Sequence, residues 1–316
     1  MSPGRVRLLA AILVSAALIP QAVTLPAAAL ETPATASTDF VSELSPKELE
    51  QQKKEIEQLL QNIETQWNAH NLDAVMGYYA DDYVNNDGLD KKSVAALTQD
   101  FWKTYPDARS SSQTKQIRVE GPFITVESRD TAVGTTAKEM PGIGTKGELH
   151  SLSEGQLYIK KVGSVWKIIG DRIDYEKVRV AFGLAKNINA TFSAPEQVKA
   201  GRQYSAKLEV TLPAGLTGVG SITSQPLQYP QPQPTDAWRP LDSQSAVLER
   251  VMPANGRNRN ELLMATIGVT NASRNSLMGI AFLTRRLNVV PTMEETGEAA
   301  GGTMADKLPP LPDKGK

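Results

Sequence analysis

The chain has 316 residues, 34 basic and 35 acidic side chains, two histidines and no cysteine. A net charge of −1 gives no whole-molecule ground for nucleic-acid binding, and the missing cysteines exclude disulfide scaffolds, zinc ribbons, iron–sulfur sites and thiol catalysis. Two histidines argue against a histidine-built metal site, so no cofactor is expected, and the length suits about two domains.

Residues 1–29 carry Arg5 and Arg7, an apolar stretch from Leu8 to Pro20, and Ala27, Ala28 and Ala29. A basic start, a short apolar run and a small-residue end mark a secretory signal peptide, with cleavage after Ala29. Pro20, Gln21 and Pro26 break the run, whereas a spanning helix needs about 20 cleaner apolar residues. The expected location is therefore extracytoplasmic, with no stable membrane span after cleavage. Residues 30–44 read as a linker.

Residues 45–186 hold 19 basic and 21 acidic side chains. Ser45-Pro46-Lys47-Glu48 is a helix start: Ser45 caps, Pro46 suits the first turn, and Glu48 closes a capping box. Leu49, Ile56, Leu59, Leu60, Ile63 and Trp67 recur at helical spacing, which predicts one long amphipathic helix ending near His70. Asn71 caps a short second helix and Asp90 a third, which Pro106 ends. Strand-like runs follow, at Ile117–Val119, Ile124–Val126, Thr131–Ala137, Leu157–Ile159 and Val165–Ile169, with Gly163-Ser164 as a hairpin turn. Three helices followed by antiparallel strands predict an α+β domain, with helices on one face of a curved sheet.

Residues 187–292 hold 10 basic and 6 acidic side chains. Tyr204, Ala206, Leu208, Val210 and Leu212 alternate with polar residues, a strand with one buried face. Further runs at Val247–Met252, Leu262–Val269 and Leu277–Val290 predict an all-β sandwich, immunoglobulin-like in architecture alone. Gln225 to Trp238 is proline-rich and reads as a stiff loop or a docking strip. Arg250, Arg257, Arg259, Arg274, Arg285 and Arg286 read as a solvated basic face. Residues 293–316 read as a polar, disordered tail.

The stretch WNAHNLDAVMGYYADDYV (Trp67 to Val84) and the hairpin VGSVWKI (Val162 to Ile168) resemble the nuclear transport factor 2-like family, in particular its SnoaL-like members. The likeness spans roughly residues 45–182. It implies a cone-shaped sheet enclosing a pocket, and a homodimer formed through that sheet. The family includes isomerases, dehydratases and non-catalytic binding domains, so the fold leaves the function open.

By resemblance to the steroid isomerases, the general-base position falls on Asp87. A base beside a carbonyl needs donors that stabilise the enolate oxygen. The family's donor positions fall on Ile63 and Gly155, which supply none. Asn85-Asn86-Asp87-Gly88 is equally a set of turn formers. His150 and Glu154 share a strand face, which offers an acid–base pair or a solvated face. Asp171 and Asp174 look like a solvated strand end. Trp67, Tyr79, Tyr83 and Trp102 are core or the wall of a pocket for a mainly apolar ligand. Met140 to Gly144 is a flexible loop, a lid or a plain connection. Together these predict an exported binding protein for a small apolar molecule or a protein partner. The alternative is a carboxylate-based isomerase or dehydratase.

Overall fold

The computed structural model describes residues 45–229, 231–232, 234–241 and 245–291. The signal peptide, the linker and the tail lie outside these residues. Helix α1 (Pro46–Asn68) begins with the expected capping box, Ser45 and Glu48 bonding reciprocally. Helix α2 (Leu72–Gly77) is capped by Asn71, and α3 (Lys91–Thr104) by Asp90. No helix among the described residues is long and apolar enough to cross a membrane.

Twelve strands follow: β1 (Arg109–Glu120), β2 (Phe123–Glu139), β3 (Lys146–Val162), β4 (Val165–Gly183), β5 (Asn189–Ser193), β6 (Gln197–Lys199), β7 (Gln203–Thr211), β8 (Leu216–Pro226), β9 (Arg239–Leu241), β10 (Ser245–Pro253), β11 (Glu261–Asn271) and β12 (Leu277–Val290). Nine of them form one sheet, ordered β1-β2-β3-β4-β12-β11-β8-β9, with β6 pairing β12 in parallel. The other three form a second sheet, β10-β7-β5.

This corrects the expected fold class, an α+β cone beside a separate all-β sandwich. The molecule is mostly β, and one large, mainly antiparallel sheet runs through both halves. The cause is strand length. β4 is 19 residues long, so Val165–Ala181 pairs β3 along one edge while Lys177–Gly183 pairs β12 along the other. The proline-rich stretch starts inside β8 at Gln225 and Pro226, and Tyr229 packs back against the core.

The sheet is covered on opposite faces in its two halves. On one face Val178, Val180 and Phe182 pack with Trp67, Phe101 and Trp102 beneath the helices. On the other, Ala181, Leu283 and Leu287 pack with Leu208, Val210 and Phe192 of the second sheet. β11 is buried at nearly every position because both of its faces are covered.

Two β-bulges interrupt the pairing of β3 with β4, at Glu154/Gly155 and at Tyr158/Ile159. Both extra residues lie on β4. Each inverts which side chains point inward and bends the sheet. Gly155 sits at one of them, where a Cβ would meet the Arg172 carbonyl oxygen at 2.2 Å.

Candidate functional site

Between α1 and the curved sheet lies a cavity of about 160 Å³. One face of α1 supplies Leu60, Ile63, Glu64 and Trp67, at the i, i+3, i+4 and i+7 spacing of a single helical stripe. Val75 and Tyr79 close it from the α2 side. The sheet contributes Ser128 and Asp130 of β2, Ser153 of β3, and Ile168, Asp171 and Ile173 of β4.

The bulges explain how Asp171 comes to line the cavity. Strict alternation from the buried Ile168 points residue 170 inward and Asp171 outward. The extra residue before Gly170 inverts this, and Ile168, Asp171 and Ile173 all line the cavity. The second bulge inverts it again, so that Glu176, Val178 and Val180 are buried beneath the helices' side of the sheet. The reading of Asp171 as a solvated strand end is therefore corrected; its residue is 9 % exposed. Asp174 does remain outside, paired with Arg172 at 2.7 Å.

Asp171 accepts a hydrogen bond from the Tyr83 hydroxyl. Burial is the main force on its carboxyl and lifts it to about 7, with the negative charge of Asp87 adding to the rise. The Tyr83 bond and Arg286 act against that rise. Asp130 accepts from the Ser128 hydroxyl at 2.8 Å, and burial raises its pKa also. Tyr79 is half-buried by area with its hydroxyl enclosed; burial, then Asp171 and Asp130, push its pKa well up. The Tyr79 and Tyr83 rings meet edge to face, 4.9 Å apart.

The predicted base is elsewhere. Asp87 does not line the cavity. Its carboxylate is held bidentately by Arg286, at 2.6 and 2.8 Å, and by Asn260 Nδ2 at 2.9 Å. Both side chains of the ion pair are buried. A carboxylate fixed in this way joins the α2–α3 loop to β12 and is not a free base. Arg286, read as part of a solvated face, is buried at 2 % exposure.

His150 and Glu154 share a strand face as expected, but it is the outer face of the sheet. His150 is exposed there. Glu154 also lines the rim of the cavity, where Lys115 at 2.5 Å and Arg129 at 2.6 Å hold it and keep its carboxyl below the usual range. Of the two, His150 is exposed and Glu154 is ion-paired. Of the aromatic set, Trp67 and Tyr79 line the cavity. Tyr83 stands behind Asp171. Trp102 stacks on His70 at 4.8 Å and belongs to the core. Met140 is buried in that core, so Met140–Gly144 is an anchored turn and lines no part of the cavity.

Ile63 and Gly155, on which the sequence resemblance placed the donor positions, line the cavity, as do Tyr79 and Asp171. Sequence reading left Tyr79 as core or pocket wall and missed Asp130 and Asp171. The signal for Asp130 was available: it continues the inward alternation Ile124, Val126, Ser128 along β2. Among the described residues no group of three or more histidine, aspartate or glutamate side chains is placed to hold a metal ion.

No protein-family model matches the chain, and no curated protein matches it. Solved structures match parts of it. A putative scytalone dehydratase from Novosphingobium aromaticivorans is 15 % identical over 41 % of this chain and 87 % of its own, with a TM-score of 0.35. A hexachlorocyclohexane dehydrochlorinase, LinA-type3 from Novosphingobium barchaimii, is 12 % identical over 42 % of this chain and 92 % of its own, at 0.33. Bd1075 of Bdellovibrio bacteriovorus is 13 % identical over 41 % of this chain, at 0.33. The match spans only 42 % of the Bdellovibrio protein's length. The family likeness seen in the sequence therefore has partial structural counterparts over about two-fifths of the chain, at scores that carry no inference about chemistry.

Proposed function

We propose that the cavity binds a small, mainly apolar molecule bearing one carbonyl or hydroxyl oxygen. The observation that carries this reading is the convergence of Tyr79, Asp130 and Asp171 on a space otherwise lined by Leu60, Ile63, Trp67, Val75 and Ile168. Buried polar groups without strong partners are costly, and a few of them in an apolar cavity are the usual make-up of a ligand site. The size fits a single ring, since an apolar cavity of about 150 Å³ takes up benzene. Tyr79 and protonated Asp171 donate to the ligand oxygen, and the apolar wall holds the ring.

A second reading is favoured by the value near 7 for Asp171 beside a second raised carboxyl, Asp130. A carboxyl with a value near 7 beside a second one whose pKa burial raises suits general acid–base work. In this reading Asp130 removes a proton next to the carbonyl, while Asp171 and Tyr79 stabilise the enolate oxygen. The product class is that of an isomerase or dehydratase. The leader residues 1–29 support an extracytoplasmic setting for either activity.

The test compares cyclohex-2-enone with cyclohexene by calorimetric titration. Binding of the enone at least ten-fold tighter, with most of that gain lost in Tyr79→Phe, supports the site. Equal binding of the two rings, or none, overturns it. Deuterium uptake by the bound enone in D₂O, lost in Asp130→Asn, decides for proton transfer over binding alone.

A further inference from the structure

On the outer face of the sheet, where the second sheet stops, a groove of about 320 Å³ crosses β3, β4 and β12. Strand register lays its side chains out in two rows. Leu152 lies opposite Lys177, which lies opposite Arg285; His150 lies opposite Arg179, which lies opposite Leu283. Lys177 and Arg285, like charges, therefore face each other directly on neighbouring strands, a pairing that destabilises a sheet.

No carboxylate lines the groove. Glu148, which acts on Arg179 through space, is already held by Lys186 at 2.9 Å. Lys177 is exposed and has no ion pair among the described residues. Arg179 uses one nitrogen, Nη2, to bind the carbonyls of Ala185, Lys186 and Ile188. Arg285 reaches the Phe192 carbonyl at 3.4 Å and lies over the Tyr175 ring. The Nε atoms of both arginines are enclosed without a hydrogen-bond partner. The floor is apolar, with Leu152, Leu283 and Phe192.

We propose that this groove binds a small organic anion, a phosphate or carboxylate group carried on an apolar body. The anion lies between Lys177 and Arg285 and relieves their repulsion, and the apolar body rests on Leu152, Leu283 and Phe192. A guanidinium matches the oxygens of either anion, and the mixed floor selects against a bare inorganic ion. The site is separate from the cavity, on the opposite face of the same strands.

The test is a methyl NMR titration of the full chain with phenyl phosphate, benzoate, inorganic phosphate and benzyl alcohol. The expected result is saturable binding of phenyl phosphate or benzoate at least ten-fold tighter than inorganic phosphate or benzyl alcohol. Whichever of the two binds more tightly identifies the head group. The shifts fall on Leu152 and Leu283, and Lys177→Gln, at an exposed position, weakens binding at least five-fold. Arg285→Gln does the same and serves as the second variant. Shifts at Leu60 and Ile63 instead, binding unchanged in Lys177→Gln, or no saturable binding of either organic anion overturns the proposal.

Discussion

Asp87 at the junction of the two halves and Asp171 in the cavity are both buried carboxylates, and each acts electrostatically on the other. They differ in what surrounds them. Asp87 has a full counter-charge on Arg286 and a further donor on Asn260. Asp171 has the neutral hydroxyl of Tyr83 and the unwelcome charge of Asp87. The first is held in a buried ion pair and fastens the α2–α3 loop to β12. The second is left able to take up or release a proton. The two carboxylates differ in whether a cation contacts them directly, and residue type alone does not decide that.

The largest effect is expected from removing the cation. Arg286→Met leaves Asp87 buried and unpaired, a loss of about 3–5 kcal/mol, whereas Asp87→Asn with Arg286→Met recovers much of it. Urea unfolding of the two variants checks this. A double variant as unstable as the single one would show that Arg286 acts through something other than Asp87.

Next comes the pH response of Asp171. Its folded pKa lies above the unfolded one, so the native state holds a proton that the unfolded chain releases near pH 4. Its contribution is fully present below that pH and is lost as pH rises towards about 7. Asp171→Asn is expected to be a few kcal/mol less sensitive to pH over this range and more stable than the parent at neutral pH. Unfolding midpoints measured from pH 4 to pH 8 give the difference; parallel curves would place the carboxyl in an ordinary solvated state. Glu176, lifted to about 8 chiefly by burial, keeps part of the slope in both proteins.

The smallest effect trims the support of Asp87 without removing its charge partner. Asn260→Ala loses one bond to Asp87 Oδ1 and one from the Val289 amide. The expected cost is about 1–2 kcal/mol, read from the same unfolding curves. A cost equal to that of Arg286→Met would mean that hydrogen bonding, and not charge, holds the junction.

Much of the helical half was legible in the sequence because helix signals are local. Ser45, Asn71 and Asp90 each cap as the spacing implies. The alternation from Tyr204 to Leu212 likewise matches the buried face of β7. What escaped depends on distant partners or on irregularity. The pairing of β4 with β12 joins residues about a hundred positions apart, as Ala181 with Ala281, and leaves no periodic trace. The bulge that turns Asp171 inward breaks the very alternation by which a buried position is recognised. Arg286 follows Arg285 directly, and in sequence the two are equivalent. Only the register separates them, sending one to Asp87 and the other to the outer groove.

The continuous sheet bears on how the protein can be taken apart. A chain cut near residue 186 would keep β4 but lose β12. The stretch Lys177–Gly183 would then present a bare row of amides and carbonyls, the kind of edge that recruits other chains. The same cut removes Arg286 and strands the charge of Asp87. A fragment cut at this point is expected to be less soluble than the whole chain, and restoring β12 to it is expected to restore solubility.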